Sequence, residues 1–309
     1  MIHHRSSRSR TFNVLATLAA AGVICALTAR AGAVVVHSTL AADTASSPAY
    51  ANGWTNGSNG GTGFGPWVQI PFNYNHTNSQ GNPLAGFLIN TSSTAYGTTA
   101  TPNIDTAGSS FDVYADYATA GLAADPVAYR PFTAPLSVGQ TFSMNVLTGY
   151  INGFGEEGFQ LQNAAGGAAT PLFQFAASGA GTDYGINYGA NLSNAIDTGI
   201  VAANNANGVN VAVTLTGPDT ISATVTPLAL GATPAVFSNL SLGSGSLNQL
   251  MLFNDNLTYG GTQDAYFNSL AITGVPAIPE PATLGLLGVG ALALLATRRK
   301  RESARLHRG

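Results

Sequence analysis

Between residues 34 and 280 apolar positions recur at every second residue in short runs, with no run at helical spacing. A period of two is that of a strand whose side chains alternate between faces, whereas a helix repeats at 3.6. Residues 110–117 put Phe111, Val113, Ala115 and Tyr117 on one face and Asp112, Tyr114 and Asp116 on the other. Residues 141–151 alternate Phe142, Met144 and Val146 against Ser143 and Asn145. Residues 209–216 set Val209, Val211, Val213 and Leu215 against Asn210, Thr214 and Thr216. Gly217-Pro218-Asp219 then turns the chain, and residues 220–226 return with Ile221, Ala223 and Val225. That pair is the clearest predicted hairpin. Residues 249–253 are apolar on both faces, as in a central strand. Residues 264–273 give a last alternating run through Tyr266, Asn268, Leu270 and Ile272. About twelve to fifteen such strands, separated by Gly, Pro, Asn and Asp, predict an all-β fold. Alternation on two faces favours an antiparallel two-sheet β-sandwich over a barrel.

The two ends break this pattern. Residues 1–11 are basic, 14–29 are apolar apart from Thr17 and Thr28, and Ala29, Ala31 and Ala33 follow. This is the order of a secretory signal peptide over 1–33, cleaved after Ala31 or Ala33. Cleavage there removes Cys25, the only cysteine. No adjacent Arg pair precedes the apolar run, which favours the general secretory route. An uncleaved anchor is the alternative. At the other end, Pro279-Glu280-Pro281 leads into sixteen uncharged residues, 282–297, and then Arg298-Arg299-Lys300-Arg301. As a helix the uncharged run spans about 24 Å, slightly short of a bilayer core. Flanking arginines reach the headgroups and make up the difference. The basic tail belongs on the cytoplasmic side and the body outside. The expected organisation is a signal helix at 1–33, a secreted domain at 34–277 and a membrane-inserting tail at 278–309.

Charge sharpens this division. Only 8% of the 309 residues are charged and the net charge is −3. Residues 34–280 hold thirteen acids and one base, Arg130, so the body stands at −12 between two basic ends. It has no Lys and no Cys, and its histidines are His37 and His76. This excludes Schiff-base and phosphate-loop lysines, thiol nucleophiles, thiolate zinc sites and disulfides. Nucleic acid is excluded as a partner, because a body at −12 repels phosphates.

The C-terminal arrangement resembles the PEP-CTERM sorting signal of exosortase substrates. The resemblance rests on Pro279, Glu280 and Pro281, the Gly/Ala/Leu-rich run and the cluster Arg298, Arg299, Lys300 and Arg301. It covers about the last thirty residues, and the tail beyond the basic cluster is a little long for the pattern. It implies recognition by an exosortase-type membrane protease, cutting near Pro-Glu-Pro, and delivery to the surface or exopolysaccharide matrix of a Gram-negative bacterium. The body resembles concanavalin A-like jelly rolls of secreted proteins. That resemblance is carried by the 217–219 hairpin, the 250–253 strand, the closing run Ala265-Tyr266-Phe267-Asn268-Ser269-Leu270 and the Gly-rich stretch from Trp54 to Trp67. It implies a fold, and a fold does not settle function.

Candidate chemistry is sparse. Gly153-Phe154-Gly155-Glu156-Glu157-Gly158 has the letters of a dinucleotide loop, but two Glu would repel pyrophosphate and the chain continues as strand. Glu156 and Glu157 are adjacent and so point to opposite faces, which prevents them from forming one glycosidase pair. Either could pair with Asp112 or Asp116. Asp112, Tyr114 and Asp116, with Trp54 and Trp67, are the candidate glycan-binding set: an aromatic face between carboxylates can stack on a sugar and accept its hydroxyls. A solvated strand face and core plugs are the plainer readings. Asn254, Asp255, Asn256 and Asp264 offer oxygen ligands to Ca²⁺ without a loop signature, and ordinary turn formation is the alternative. No cofactor is expected otherwise. His76 is a lone loop histidine without a G-x-S-x-G partner. The expected function is a non-enzymatic, surface- or matrix-sorted sandwich associated with exopolysaccharide. The alternatives are a lectin-like glycan-binding module and a carbohydrate-active enzyme using Glu156 or Glu157.

Overall fold

The structure is a computed structural model that describes residues 37–71, 84–95, 100–115, 125–151, 155–164, 169–203, 205–255 and 264–274. The signal segment, the sorting tail with its apolar run, Asp116, His76 and Asn256 lie outside the described residues.

The described chain forms fifteen strands. The first five are β1 (Ser38–Asp43), β2 (Val68–Pro71), β3 (Ala85–Asn90), β4 (Ser110–Ala115) and β5 (Pro126–Pro131). Then come β6 (Thr141–Thr148), β7 (Glu156–Asn163), β8 (Thr170–Ser178), β9 (Asp183–Tyr188) and β10 (Asn194–Val201). The last are β11 (Val209–Gly217), β12 (Thr220–Pro227), β13 (Ala235–Ser241), β14 (Gln249–Asp255) and β15 (Asp264–Gly274). Sheet 1 has the order β13-β12-β11-β6-β15-β4-β3, with β1 also on β15. Sheet 2 has the order β10-β9-β8-β7-β14-β5-β2. Every strand pairing is antiparallel, so the all-β two-sheet sandwich expected from the alternation is what forms.

The core lies between the sheets and follows the predicted inward positions. Phe111, Val113, Phe142, Met144, Val146, Val209, Val211, Val213, Ile221 and Val225 are all buried there. Sheet 2 contributes Phe159, Leu161, Phe173, Phe175, Tyr184, Leu250 and Leu252. The Gly217-Pro218-Asp219 turn closes the β11–β12 hairpin, with Gly217 opposite Thr220.

The last strand departs from the predicted face. The alternation placed Tyr266, Asn268, Leu270 and Ile272 together. In β15 the register shifts between Asn268 and Ala271, and Ser269 takes a φ of 55°. This bulge carries one extra residue, so the strand changes face partway. Ala265 and Phe267 face the core before it and Leu270 and Ile272 after it.

One ion pair ties the sheets together inside the core. Arg130 on β5 reaches Asp43 on β1, and both side chains are fully buried. Arg130 also donates from Nε to Gly65 O (3.1 Å) and from its second terminal nitrogen to Gly60 O (2.7 Å) and Asn59 Oδ1 (3.1 Å). Its guanidinium lies 5.0 Å from the Phe64 ring and 4.8 Å from the Trp67 ring. Tyr50 donates its hydroxyl proton to Asp43 and accepts from Trp67 Nε1 and Gly60 N, both at 3.1 Å. A buried charge is tolerated only when paired and fully hydrogen-bonded, and this network meets that condition. It also fixes the Gly-rich segment 53–67 against the sandwich.

Candidate functional site

Of the candidate glycan set, Trp54, Trp67 and Asp112 are buried and Tyr114 is half-buried. Trp54 and Trp67 are 2% and 0% exposed, with ring centroids 4.9 Å apart. Both also pack on Phe111. They are core residues, because the Gly-rich segment folds inward over Arg130 rather than standing away from the sheet. Asp112 is fully buried although it lies on the outer face of sheet 1. It sits opposite Leu88 and Tyr266 on the neighbouring strands and accepts from Asn90 Nδ2 at 3.2 Å. The cross-strand Tyr266 hydroxyl meets that of Thr94, in the 3₁₀ turn Ser92–Ala95, at 2.7 Å. There Ala95, Ile104, Leu147 and Tyr266 form a second small core. Tyr114 is half-buried and its ring lies over Gly86, where a Cβ would stand 2.7 Å from its hydroxyl.

The Ca²⁺ candidates also separate. Asp255 ends β14 on the outer face of sheet 2. Asp264 opens β15 on the outer face of sheet 1, where its carboxylate accepts from the Tyr266 hydroxyl at 3.1 Å. Opposite outer faces cannot share one ion. Between them, Asn254 points into the core and donates to Val113 O at 2.9 Å. Among the described residues, no group of three His, Cys, Asp or Glu is arranged to hold a metal.

The adjacent glutamates split as alternation requires. Glu157 faces inward, fully buried, and accepts the Gly149 N–H at 3.0 Å. Nearby, burial is the main cause that pushes the Tyr184 hydroxyl up to about 12, with the Glu157 charge adding to it. Glu156 faces outward on sheet 2, opposite Asp255 on β14 and Ser178 on β8.

That outer face of sheet 2 carries a row of hydrogen-bonded amides, of which Gln162 and Gln174 are buried and Gln160 and Gln249 half-buried. Gln249 donates to Gln162 Oε1 (3.0 Å), Gln162 to Gln160 Oε1 (2.8 Å) and Gln160 to Gln174 Oε1 (2.8 Å). Gln174 in turn donates to Glu156 Oε2 at 3.1 Å. Five side chains on three strands thus form one hydrogen-bonded row. Beside it Met251 and Tyr129 stand in register with Gln160, and Phe253 and Val127 in register with Gly158. These apolar residues form a small cluster of their own. At the acidic end, Asp255 meets Asp125 and Glu156. Loss of solvation, then the hydrogen bond and charge of Asp125 and the charge of Glu156, push the Asp255 carboxyl up to about 6.

The sequence carried a signal for this face. Gln160 and Gln162 alternate with inward Phe159 and Leu161, as Gln174 does with Phe173 and Phe175. Only the pairing of β7 with β8 and β14 brings them together.

Comparison with known proteins finds the PEP-CTERM protein-sorting motif at residues 277–301. The chain therefore carries the sorting signal of an exported protein, and the motif implies processing by an exosortase in the membrane. No curated protein matches the chain by sequence. Solved structures resemble it at low identity. A glycoside hydrolase family protein from Mycobacterium thermorestibile is 13% identical, covering 77% of this chain and 100% of that one, with a TM-score of 0.42. A carbohydrate esterase of the Shiga toxin-encoding bacteriophage phi24B is 14% identical, covering 77% and 99%, with a TM-score of 0.42. The exoplasmic/lumenal domain of VIP36, bound to Ca²⁺ and Man2, is 10% identical, covering 70% and 90%, with a TM-score of 0.36.

Proposed function

We propose that the mature protein is a non-enzymatic module of the envelope or extracellular matrix that holds exopolysaccharide on the outer face of sheet 2. The observation that carries this reading is the amide row from Gln249 to Glu156, in which Gln162 and Gln174 are buried and hold the half-buried Gln249, Gln160 and Glu156, with half-buried Tyr129 and Met251 beside it. Side chains held by one another lose little further freedom on binding, so they present donors and acceptors at low entropic cost. The neighbouring apolar and aromatic surface suits the C–H faces of sugar rings. The sorting motif supports the same reading, since it belongs to a protein sent out of the cell, where such polymers lie. With one base against thirteen acids, the body favours neutral over anionic polymers.

The test is polysaccharide binding, by affinity electrophoresis and on a glycan array. Wild type is expected to be retarded by a neutral polysaccharide, and Tyr129→Ala and Gln160→Ala to weaken the effect. A blank array together with unretarded migration at high polymer concentration overturns the reading.

A second reading, a carbohydrate-active enzyme, has one observation in its favour. Asp255, with its raised pKa, and Glu156 stand opposite each other on one face. Cross-strand Cβ atoms lie roughly 4.5–5.5 Å apart, near the separation of a retaining glycosidase pair. Against it, Asp125 already hydrogen-bonds with Asp255, and Gln174 engages Glu156. Release of reducing ends from any polysaccharide, abolished by Glu156→Gln, would establish this reading in place of the first.

A further inference from the structure

One end of the sandwich contains a cavity of about 270 Å³, built by the exit of β6, the β8–β9 turn and the residues after β10. We propose that this cavity binds a single neutral sugar ring, the terminal unit of a polymer lying on sheet 2. The inference rests on the glycan reading and narrows it to chain-end recognition.

The volume sits just below the roughly 300–1,000 Å³ of sites for drug-sized ligands, so it suits one ring and not a chain. Its space comes from small residues, among them Gly179, Gly181 and Ala203. Among the described residues, none that lines it is charged. Tyr150 borders the cavity and is 58% exposed, which leaves its ring open to stack on the C–H face of a sugar. Ser178 and the main chain of the glycine-rich turn supply groups suited to hydroxyls.

The wall is held from behind. The Gly149 N–H is shared by Glu157 Oε2 at 3.0 Å and Asp264 O at 2.9 Å, and the Thr148 hydroxyl donates to the buried Tyr184 oxygen at 3.2 Å. A wall fixed by buried partners keeps its shape before a ligand arrives. The same partners set the selectivity. Glu157 behind the wall and Glu156 opposite Ser178 give the site negative surroundings, which repel a uronic acid. Glu156 also ends the amide row, so the cavity stands next to the row through Ser178.

The experiment is calorimetric titration of the purified protein with neutral gluco-, galacto- and manno-oligosaccharides and with uronate oligosaccharides. At least one neutral series is expected to bind, with uronates at least roughly tenfold weaker. Tyr150→Ala, at an exposed position, is expected to weaken binding roughly two- to tenfold. Ala203→Trp, which fills the cavity from an exposed position, is expected to abolish oligosaccharide binding while the polymer is still retarded. If both variants bind oligosaccharide as wild type does, or if wild type binds polymer but no oligosaccharide, the cavity proposal falls and the sheet-2 reading stands. If neither polymer nor oligosaccharide binds, the glycan reading itself has failed.

Discussion

At the scale of residues, stability turns on the few charges in the interior. Arg130 and Asp43 are fully buried, and each would be left as an uncompensated charge without the other. Arg130→Ala or Asp43→Ala should therefore each cost about 3–5 kcal/mol in urea unfolding. Combining them should cost clearly less than the sum, because the second change removes the orphan left by the first. That Arg130 matters was legible in its being the one base among thirteen acids. Its partner was not, since Asp43 lies 87 residues away and nothing local distinguishes it from the other acids. Asp255 acts in the opposite sense. Its carboxyl is pushed from the ordinary 3.8 up to about 6, so the folded state holds its proton more tightly than the unfolded chain does. Folding is then favoured at low pH, and this contribution is lost as pH rises from about 4 to about 6. Asp255→Asn should raise the melting temperature at pH 7, leave it nearly unchanged at pH 4, and flatten the profile between. An unchanged difference between the two pH values in the variant would remove Asp255 as its source.

At the scale of elements, the sequence disclosed strands better than it disclosed what lies on top of them. The β11–β12 hairpin was readable because its signals are local: alternation on both sides of a Gly-Pro-Asp turn. The face change in β15 was not, because Ser269 at a φ of 55° is an ordinary residue in an unusual conformation. The burial of Asp112 was hidden for another reason. Alternation says which side of a strand a residue faces, not whether other residues pack over that side. This is why Asp112 was expected on an open face and the amide row on β7, β8 and β14 was not singled out. The close fit of β7 to β8 can be tested at Gly158, where a Cβ would stand 2.1 Å from the Phe175 carbonyl oxygen. Backbone cannot yield as a side chain tip does, so Gly158→Ala should cost about 1–3 kcal/mol or more. Gly57→Ala has a φ of +85° but nothing within 4 Å, and should cost about 1–2 kcal/mol from conformation alone. If Gly158→Ala proves the milder of the two in urea unfolding, the close strand contact is not what limits β7. Gly158→Ala should also weaken polysaccharide retardation, since Gln160 and Gln162 follow on the same strand face.

At the scale of the whole molecule, the net charge of −3 is an average over an acidic body and two basic ends. The basic residues sit almost wholly in the first 33 and the last 29 positions, and the body between them stands at −12. A basic cluster after an apolar run holds its own end in the cytoplasm and leaves the preceding domain outside. The sorting motif at 277–301 spans this junction. The motif implies a membrane-anchored form that is then processed. Loss of the basic cluster leaves the acidic body to dominate, so self-repulsion is expected to grow. Such repulsion keeps copies apart, which suits a domain with no Lys to guard its sheet edges. The expectation is that intact-mass measurement of the surface form finds a C-terminus near Pro279–Pro281, with the basic cluster lost and the isoelectric point well below the full-length value of about 5.9. Deleting the exosortase should leave the full tail attached and the protein in the membrane fraction. Recovery of a mature surface form that still carries residues 298–309 would mean that the tail is an anchor and not a processed signal. Even then the tail's net charge of +5 would not outweigh the body at −12, so the proposed preference for neutral glycans would be expected to weaken and not to vanish.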